Sequence, residues 1–327
     1  MRFDSEGKIE PALAVSWQRI SPNRMRFKLR EGVVFHNGEP FNAESVKFSI
    51  ERQLNPETGF PAPGFIASIS GAEVIDPHTV DIVTKYPDGI LLNRLAWIVM
   101  VVPPGYIKEK GNEFFAANPV GTGPFVFKEW KKGEKIVFSA NAGYWMKGYP
   151  RAEGLVFHFI QQDKQLEALI SEKVDLLTDL PGTQTFQIAA GKNTKIIKRP
   201  ELYTYVASLD ISSGPLADRN FRMALNYAVD KTQLIKYDAM GNGKPLGALA
   251  MPGEIGYSSD IKPYPFDLKK ARSLIKKSRY KNAGFKAFVK AQAERSAKIL
   301  ANQLKKFCAG HYTFLPFPVQ RDARSQV

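Results

Sequence analysis

Short stretches in which hydrophobic and polar residues alternate recur along the chain, as they do in strands that are buried on one face only. Met25, Phe27 and Leu29 alternate with basic residues and predict one such strand, and Asn37–Gly38 predicts a tight turn after it. Further strands are predicted in a hairpin over 74–83 bent at Asp76–Pro77, in two runs over 119–145 joined at 132–133, over 155–159, and in two runs over 195–209 broken at Pro200.

Other stretches place a hydrophobic residue at every third or fourth position, which is the spacing of one helix face. Asn42 stands before the first of these and can cap a helix that carries Val46 and Ile50 on its inner face. Asp218 and Arg222 are four residues apart and are predicted to pair on a later helix. The remaining predicted segments are helices over 163–171, after Asp218, after Asp267 and over about 291–306, and loops over 56–63 and 240–252. Strand-rich and mixed stretches in this order indicate an α/β protein with more than one lobe.

The composition is that of a globular protein. Of the 327 residues, 44% are hydrophobic and 24% are charged, so the chain can bury a core and is not disordered as a whole. Its longest apolar run, Leu95–Val102, is too short to span a bilayer. The single cysteine, Cys308, excludes a fold built on internal disulfides. The first residues are polar and mixed in charge, so we expect no secretory signal peptide in this chain as given.

The formal net charge of +14 is concentrated in one part of the chain. Residues 262–327 contain 16 Lys and Arg against three Asp and Glu, whereas the remaining residues contain 30 against 29. The favoured interpretation is that these lysines and arginines lie on the solvated faces of one or two helices. The alternative is a surface that binds nucleic acid or an anionic membrane.

Residue patterns that carry common catalytic chemistry do not occur in the sequence. The four histidines have no zinc-like spacing to another ligand-type residue, and there is neither a phosphate-binding loop nor a G-x-S-x-G elbow. Gly121–Thr122–Gly123 is followed by Pro124, whose missing N–H suits a strand entry better than a phosphate cradle. An enzyme would need a site assembled from scattered carboxylates, so we expect a binding protein without a cofactor or a bound metal.

Four segments stand out as a set. They are PALAVSWQRISPNRMRFKLREGVVFHNGEPFNAESVKFSIERQ at 11–53, PVGTGPFVFKEW at 119–130, GPLADRNFRMALNYAVDKTQLI at 214–235, and YPFD at 264–267 followed by Ala271 and Leu274. In this order and at this spacing they resemble the family 5 extracellular solute-binding proteins, the peptide- and nickel-binding subunits of ABC importers. The similarity covers about residues 9–306. One departure is Glu44–Ser45, where the family usually has two acidic residues.

The resemblance implies the type II fold of periplasmic binding proteins. This α/β fold has two lobes and an inserted small lobe, and a ligand lies in the cleft between lobes that close about a hinge. In this sequence it would place a remnant of a first-lobe strand at 1–8, the inserted small lobe at 9–131, the first lobe at 132–234 and a partial second lobe at 235–327. The motifs themselves are expected to hold the lobes in shape more than to touch a ligand.

The resemblance also implies a function in transport. It implies a monomeric periplasmic subunit that captures a peptide or other small solute, does not bind nucleic acid, and delivers its ligand to the permease subunits of an ABC importer. Where relatives have an asparagine facing the cleft, this chain has Asp210, which would either pair with a ligand amine or lose an amide contact. Trp97 either packs on a ligand side chain or is an ordinary core aromatic. Tyr205 is a further candidate ligand contact.

Both ends of the sequence depart from the family pattern. Relatives begin with a signal peptide and a first-lobe strand, and they continue well beyond the helix over 291–306, so we expect a truncated second lobe. From residue 307 the chain has a cysteine and two prolines where relatives have a turn and a strand. A shifted reading frame, which would leave a non-functional fragment of a solute-binding subunit, or a natural short variant would explain this tail. We expect residues 235–327 to be the least ordered region and the first to be cut by proteases.

Overall fold

The structure, a computed structural model, describes residues 1–178, 180, 182–189, 193–199, 203–290, 293–307, 310 and 312–316. Contacts between Cα atoms divide the chain into two compact units, residues 1–161 and 162–327. Each unit has a hydrophobic core of its own. This division is coarser than the lobe boundaries implied by the resemblance, which stay a prediction.

The described elements follow one another in mixed order. The strands are β1 (Arg2–Phe3), β2 (Ile9–Glu10), β3 (Ala14–Ser21), β4 (Arg24–Leu29), β5 (Ile69–Asp76), β6 (Thr79–Thr84), β7 (Phe125–Lys131), β8 (Lys135–Ala140), β9 (Gly154–His158), β10 (Phe285–Val289) and β11 (Tyr312–Pro316). The helices are α1 (Ala43–Leu54), α2 (Leu91–Ile98), α3 (Pro104–Ala117), α4 (Gln162–Ile170), α5 (Thr185–Ala189), α6 (Arg219–Ala228), α7 (Lys231–Tyr237), α8 (Leu268–Lys277) and α9 (Glu294–Phe307). Short 3₁₀ turns at Pro56–Thr58 and Pro63–Ile66 interrupt the predicted loop after α1.

A four-stranded antiparallel sheet in the order β3-β4-β6-β5 forms the centre of the first unit. Across the β4–β6 ladder, Phe27 lies opposite Val80 and Met25 lies opposite Ile82. All four side chains are buried on the face that packs toward α1 and its neighbours. The predicted strand at 25–29 and the hairpin over 74–83 are therefore confirmed.

Helix α1 begins at a reciprocal cap. The side chain of Asn42 accepts a hydrogen bond from the backbone N–H of Ser45 at 3.1 Å, and the hydroxyl of Ser45 accepts one from the N–H of Asn42 at 3.1 Å. In such a capping box, the acceptor at the third helical position is usually the side chain of a glutamate or glutamine. Here the hydroxyl of Ser45 is the acceptor. The departure from the family pattern at Ser45 thus preserves the cap, and Val46 and Ile50 are buried as predicted.

His36 joins two of the segments that carry the family resemblance. Its Nε2 lies 2.9 Å from the carbonyl oxygen of Gly123, and the N–H of Gly121 donates to its Nδ1 at 3.4 Å. The side chain of Asn141 donates to the same Gly123 carbonyl at 3.0 Å. These contacts fix the chain just before β7, which agrees with the predicted strand entry and assigns His36 a structural role.

Strands β7, β8 and β9 form a second antiparallel sheet in this order, and β1 pairs with β2. Aromatic rings connect the three strands, because Phe138 lies edge-on to both Phe127 and Phe157 at centroid distances of 6.0 Å. The predicted strands over 119–145 and 155–159 are confirmed.

Helices α6, α8 and α9 form the core of the second unit. The carboxylates of Asp218 and Asp267 cap α6 and α8 by accepting hydrogen bonds from N–H groups in the first turn. The buried residues of this core are Phe221, Ala224, Leu225, Ala228, Ala271, Leu274, Ile275, Leu304 and Phe307. The predicted helices after Asp218 and Asp267 are confirmed, and the last helix lies within about three residues of its predicted bounds.

The predicted pairing of Asp218 with Arg222 is wrong. The carboxylate of Asp218 accepts the N–H of Phe221 at 3.0 Å, whereas Arg222 donates through Nη1 to the backbone carbonyl of Leu216 at 2.7 Å. A side chain at the N-cap position turns toward the exposed backbone N–H groups of the first turn, which takes it away from residue i+4.

Two further stretches differ from the sequence predictions. Residues 195–199 and 203–209 form no strand, because a β-strand needs a pairing partner and their hydrophobic side chains are largely exposed. Pro200, where the predicted break falls, is outside the described residues. Conversely, β11 is a strand within the tail that the sequence analysis sets apart. It pairs in parallel with β10, so that β10, α9 and β11 form a β-α-β unit.

The helices described here are short. Helix α9 has 14 residues, and α3 is interrupted at Gly111, whose backbone is not helical. No described helix combines the length and hydropathy required to cross a bilayer.

Candidate functional site

Trp97 lies on the exposed face of α2. Leu91 on the opposite face is buried, and Leu95 and Ile98 pack against the core of the first unit. Trp97 is 57% exposed, so the interpretation that it is an ordinary core aromatic is wrong. Trp97 is therefore an exposed aromatic side chain and stays a candidate ligand contact.

The indole of Trp97 contacts a second exposed aromatic side chain. Phe65, in the 3₁₀ turn Pro63–Ile66, lies edge-on to it with ring centroids 4.8 Å apart and an interplanar angle of 80°. Phe65 is itself 44% exposed, whereas its neighbour Ile66 is buried and anchors the turn. The two rings therefore present one aromatic surface to solvent.

A polar cluster lies beneath this aromatic pair. Asp88 is only 6% exposed, and its carboxylate accepts hydrogen bonds from the Ser68 hydroxyl at 2.6 Å and from the N–H of Ile90 at 2.9 Å. Oδ2 of Asp88 also lies 3.0 Å from Nε of Arg94, in an ion pair. Nη1 of Arg94 donates to the backbone carbonyl of Phe65 at 2.8 Å. The N-terminus of α2 and the turn carrying Phe65 are thus linked by hydrogen bonds and one ion pair.

Tyr205 and Asp210 lie in the second unit, in a segment without regular structure. Tyr205 is 69% exposed and lies edge-on to Tyr203 at a centroid distance of 5.0 Å. The carboxylate of Asp210 accepts hydrogen bonds from the hydroxyl of Ser212 at 2.7 Å and from its N–H at 3.0 Å. These two bonds lower the pKa of Asp210 below its ordinary value, so the carboxylate is charged at neutral pH.

The structure therefore assigns the three predicted site residues to different units. Trp97 belongs to the first, and Tyr205 and Asp210 belong to the second. Two open recesses in the first unit contain none of the three residues. One lies between Glu113 and Lys132, and the other beside Arg2 and the segment 144–152.

Within the described ranges, no group of three or more His, Cys, Asp or Glu side chains could hold a metal ion. Cys308 and His311 are outside the described residues.

The lysines of the basic region lie where a solvated helix face would place them. On α8, Lys269, Lys270, Lys276 and Lys277 are exposed, whereas Ala271, Leu274 and Ile275 are buried. This arrangement agrees with the favoured interpretation of the charge excess.

Sequence reasoning missed three residues around Trp97, namely Phe65, Asp88 and Arg94. A local signal existed for Asp88, because Asp88–Gly89 forms a turn directly before an apolar helical run. No local signal existed for Phe65, whose contact with Trp97 is made only in the folded unit.

Comparison with known proteins gives a consistent result. A family model described as bacterial extracellular solute-binding proteins, family 5, middle, matches residues 8–310. The glutathione-binding protein GsiB of Escherichia coli K12 is 29% identical over 284 residues, which are 86% of this chain and 55% of that protein. This chain therefore spans little more than half the length of GsiB.

Solved structures show the same fold. The binding protein DppA from Helicobacter pylori, in complex with the peptide STSA, matches with a TM-score of 0.78 at 26% identity, over 97% of this chain and 67% of that one. NikZ from Campylobacter jejuni, in complex with nickel and L-histidine, matches with a TM-score of 0.81 at 24% identity. The match covers 100% of this chain and 69% of NikZ. The predicted type II periplasmic-binding-protein fold is confirmed. GsiB and DppA are both named as binding proteins, which supports the prediction that this chain is not an enzyme, and the nucleic-acid alternative gains no support.

Proposed function

Because this chain belongs to the family 5 bacterial extracellular solute-binding proteins, we propose that it captures a short peptide for import by an ABC transporter. The observation that carries the proposal is 29% identity to a glutathione-binding protein over 86% of this chain. Glutathione is itself a short peptide, and a structural relative binds the four-residue peptide STSA. The proposed ligand class is a peptide of a few residues, with glutathione the first to test.

Each of the three site residues is proposed as a ligand contact within its own unit. In the first unit, the exposed ring of Trp97 packs against an apolar ligand group. In the second unit, the charged carboxylate of Asp210 pairs with a ligand amine. Tyr205 supplies further aromatic contact. The exposure of both aromatic side chains and the charge of Asp210 support these assignments.

The proposed partners follow from the family. We propose a periplasmic protein that acts as a monomer and delivers its ligand to the permease subunits of the importer. The family description as extracellular supports this location.

The experiment is calorimetric titration of the purified chain with glutathione, with the dipeptide alanyl-phenylalanine and with nickel–histidine, together with thermal unfolding. A peptide present at 100 times its Kd should raise the free energy of unfolding by about 2.7 kcal/mol. Trp97→Ala should weaken binding, whereas Trp130→Ala, which removes another exposed tryptophan of the same unit, should not.

Absence of any heat or thermal shift with all three ligands would overturn the proposal. The basic alternative would then be tested with duplex DNA, whose binding should fall steeply as salt rises if that alternative holds.

A further inference from the structure

We infer that Asp88 is a positioning residue, which holds the indole of Trp97 through Arg94 and Phe65. The NMR signal of Trp97 tests this inference from the geometry of the first unit alone, whereas the effect on peptide affinity rests on the proposed function. Asp88 is separated from Trp97 by two intermediate side chains, so its role is to place the ring and not to bind a ligand.

The carboxylate of Asp88 is held at both oxygens. Its Oδ2 accepts from the Ser68 hydroxyl at 2.6 Å, and its Oδ1 accepts from the N–H of Ile90 at 2.9 Å. Its backbone carbonyl accepts from Nη2 of Arg19, on β3, at 3.0 Å, which ties it to the sheet. A buried carboxylate is costly unless its partners compensate, and one with this many fixed partners has a defined orientation.

Arg94 transmits that orientation to Phe65. Its Nε lies 3.0 Å from Oδ2 of Asp88, and its Nη1 donates to the backbone carbonyl of Phe65 at 2.8 Å. Nε makes no hydrogen bond within the described residues, so the link to Asp88 is an ion pair. Because the guanidinium is planar and rigid, this ion pair and the hydrogen bond from Nη1 act on the same rigid group. A lysine has one ammonium on a flexible stem and cannot reproduce both contacts in this geometry.

Phe65 in turn restricts the rotation of Trp97. The ring centroids lie 4.8 Å apart in an edge-to-face arrangement, and Trp97 is more than half exposed. Loss of the contact with Phe65 therefore gives the indole more rotamer freedom. A tryptophan held in one rotamer offers a ligand side chain a fixed surface, and the ordering entropy is then not lost on binding.

The first test uses ¹⁹F NMR of protein labelled with 5-fluorotryptophan. The chain has four tryptophans, so four resonances are expected, and Trp97→Phe identifies the one from Trp97. Asp88→Asn and Arg94→Lys should each shift or broaden the Trp97 resonance and leave that of Trp130 unchanged. Arg94→Lys keeps the positive charge but loses the planar guanidinium, so it separates the effect of geometry from the effect of charge. If Asp88→Asn does not fold, Arg94→Lys is the variant that tests the inference.

The matched control is Asp81→Asn. Asp81 is another buried carboxylate in the same unit with two arginine partners, on the sheet instead of beneath Trp97. Its loss should lower stability without moving the Trp97 resonance. A Trp97 resonance unchanged in both Asp88→Asn and Arg94→Lys, or one moved equally by Asp81→Asn, would overturn the inference.

The second test is the ratio of affinities for alanyl-phenylalanine and alanyl-alanine. Asp88→Asn and Arg94→Lys should reduce the preference for the aromatic peptide by about threefold to tenfold, and Asp81→Asn should leave it unchanged. A preference that survives in both variants would overturn the link between Asp88 and the ligand. If no variant and not even the parent binds a peptide, the proposed function fails, while the NMR result still decides the positioning of Trp97.

Discussion

Arg26 and Asp81 face each other across the ladder between β4 and β6, and Nε of Arg26 donates to Oδ1 of Asp81 at 2.7 Å. Asp81 lies on the outer face of the sheet, yet its side chain is fully buried. Arg24, two residues before Arg26, donates to the other oxygen of Asp81 and pairs with Glu73 on the neighbouring strand. The stems of the two arginines therefore cover a carboxylate that would otherwise meet solvent.

The pH dependence of stability should report on Asp81. Hydrogen bonds from Arg26 and then from Arg24 hold the pKa of Asp81 below its ordinary value, although burial acts in the opposite direction. Its stabilising contribution is therefore present above the unfolded pKa of about 3.9 and is lost as the pH falls through the lower folded pKa.

Asp81→Asn should lower the free energy of unfolding at pH 7 by about 2 kcal/mol, less than a fully buried pair would give because both arginines are partly exposed. Urea unfolding from pH 7 to pH 2 measures this, and the difference between variant and parent should shrink at the acid end. A difference that is constant with pH would show that the charge of Asp81 is not what stabilises the sheet.

Asp218 and Arg222 should act independently on the stability of the second unit. Asp218→Ala should cost about 1 kcal/mol, because it removes the cap of α6, whereas Asp218→Asn should cost much less, since asparagine caps equally well. A double-mutant cycle of Asp218→Ala with Arg222→Ala, measured by chemical unfolding, should give a coupling energy near zero. A clearly favourable coupling energy would show that Asp218 and Arg222 do form the ion pair predicted from the sequence.

Gly310 should be required for the pairing of β11. A Cβ at this position would clash with the carbonyl oxygen of Ala283, just before β10. Gly310→Ala should destabilise the second unit by more than about 1 kcal/mol and reduce hydrogen-exchange protection in β10 and β11. Gly243→Ala is the matched control, because its Cβ would meet only ordinary contacts with Ile235. Equal protection in both variants would contradict this role of Gly310.

The charge of Asp210 should matter only for ligands with a free amine. Asp210→Asn should weaken binding of a peptide with a free N-terminus by about threefold to fivefold, the range of an exposed ion pair, and should leave the N-acetylated peptide unaffected. Calorimetry with both peptides checks this. An equal loss of affinity for both peptides would show that Asp210 does not pair with the peptide's amine.

Limited proteolysis should cut first between α7 and α8. The long segment joining these helices exposes Leu249 and Tyr257, whereas α8 packs into the core of the second unit. Chymotrypsin should therefore cleave at one of these two residues, as mass spectrometry of the fragments would show. A first cut before residue 235 would contradict the prediction that residues 235–327 are the least ordered.

Local signals decide which parts of this fold the sequence predicts. Asn42, Asp218 and Asp267 mark helix starts correctly, because a cap is made within four residues. Strand pairing is not local, and the strands predicted at 195–199 and 203–209 do not form, because alternation alone does not supply a partner. Strand β11 is missed for the same reason, since the whole of α9 separates it from its partner β10 along the sequence.

The candidate site divides in the same way. Trp97 can be selected from the sequence because the resemblance places it near a ligand cleft. Its exposure, its contact with Phe65 and the pair between Asp88 and Arg94 depend on side chains that only the folded unit brings together.

The positions of the strands along the chain also set the order in which they can form on the ribosome. All four strands of the sheet in the first unit come from residues 14–84, so this sheet can close while most of the chain is still unmade. Strand β10 has to wait until residues 312–316 have emerged before it gains its parallel partner. During that interval chaperones would meet a nascent chain whose first sheet is complete and whose β10 edge is open.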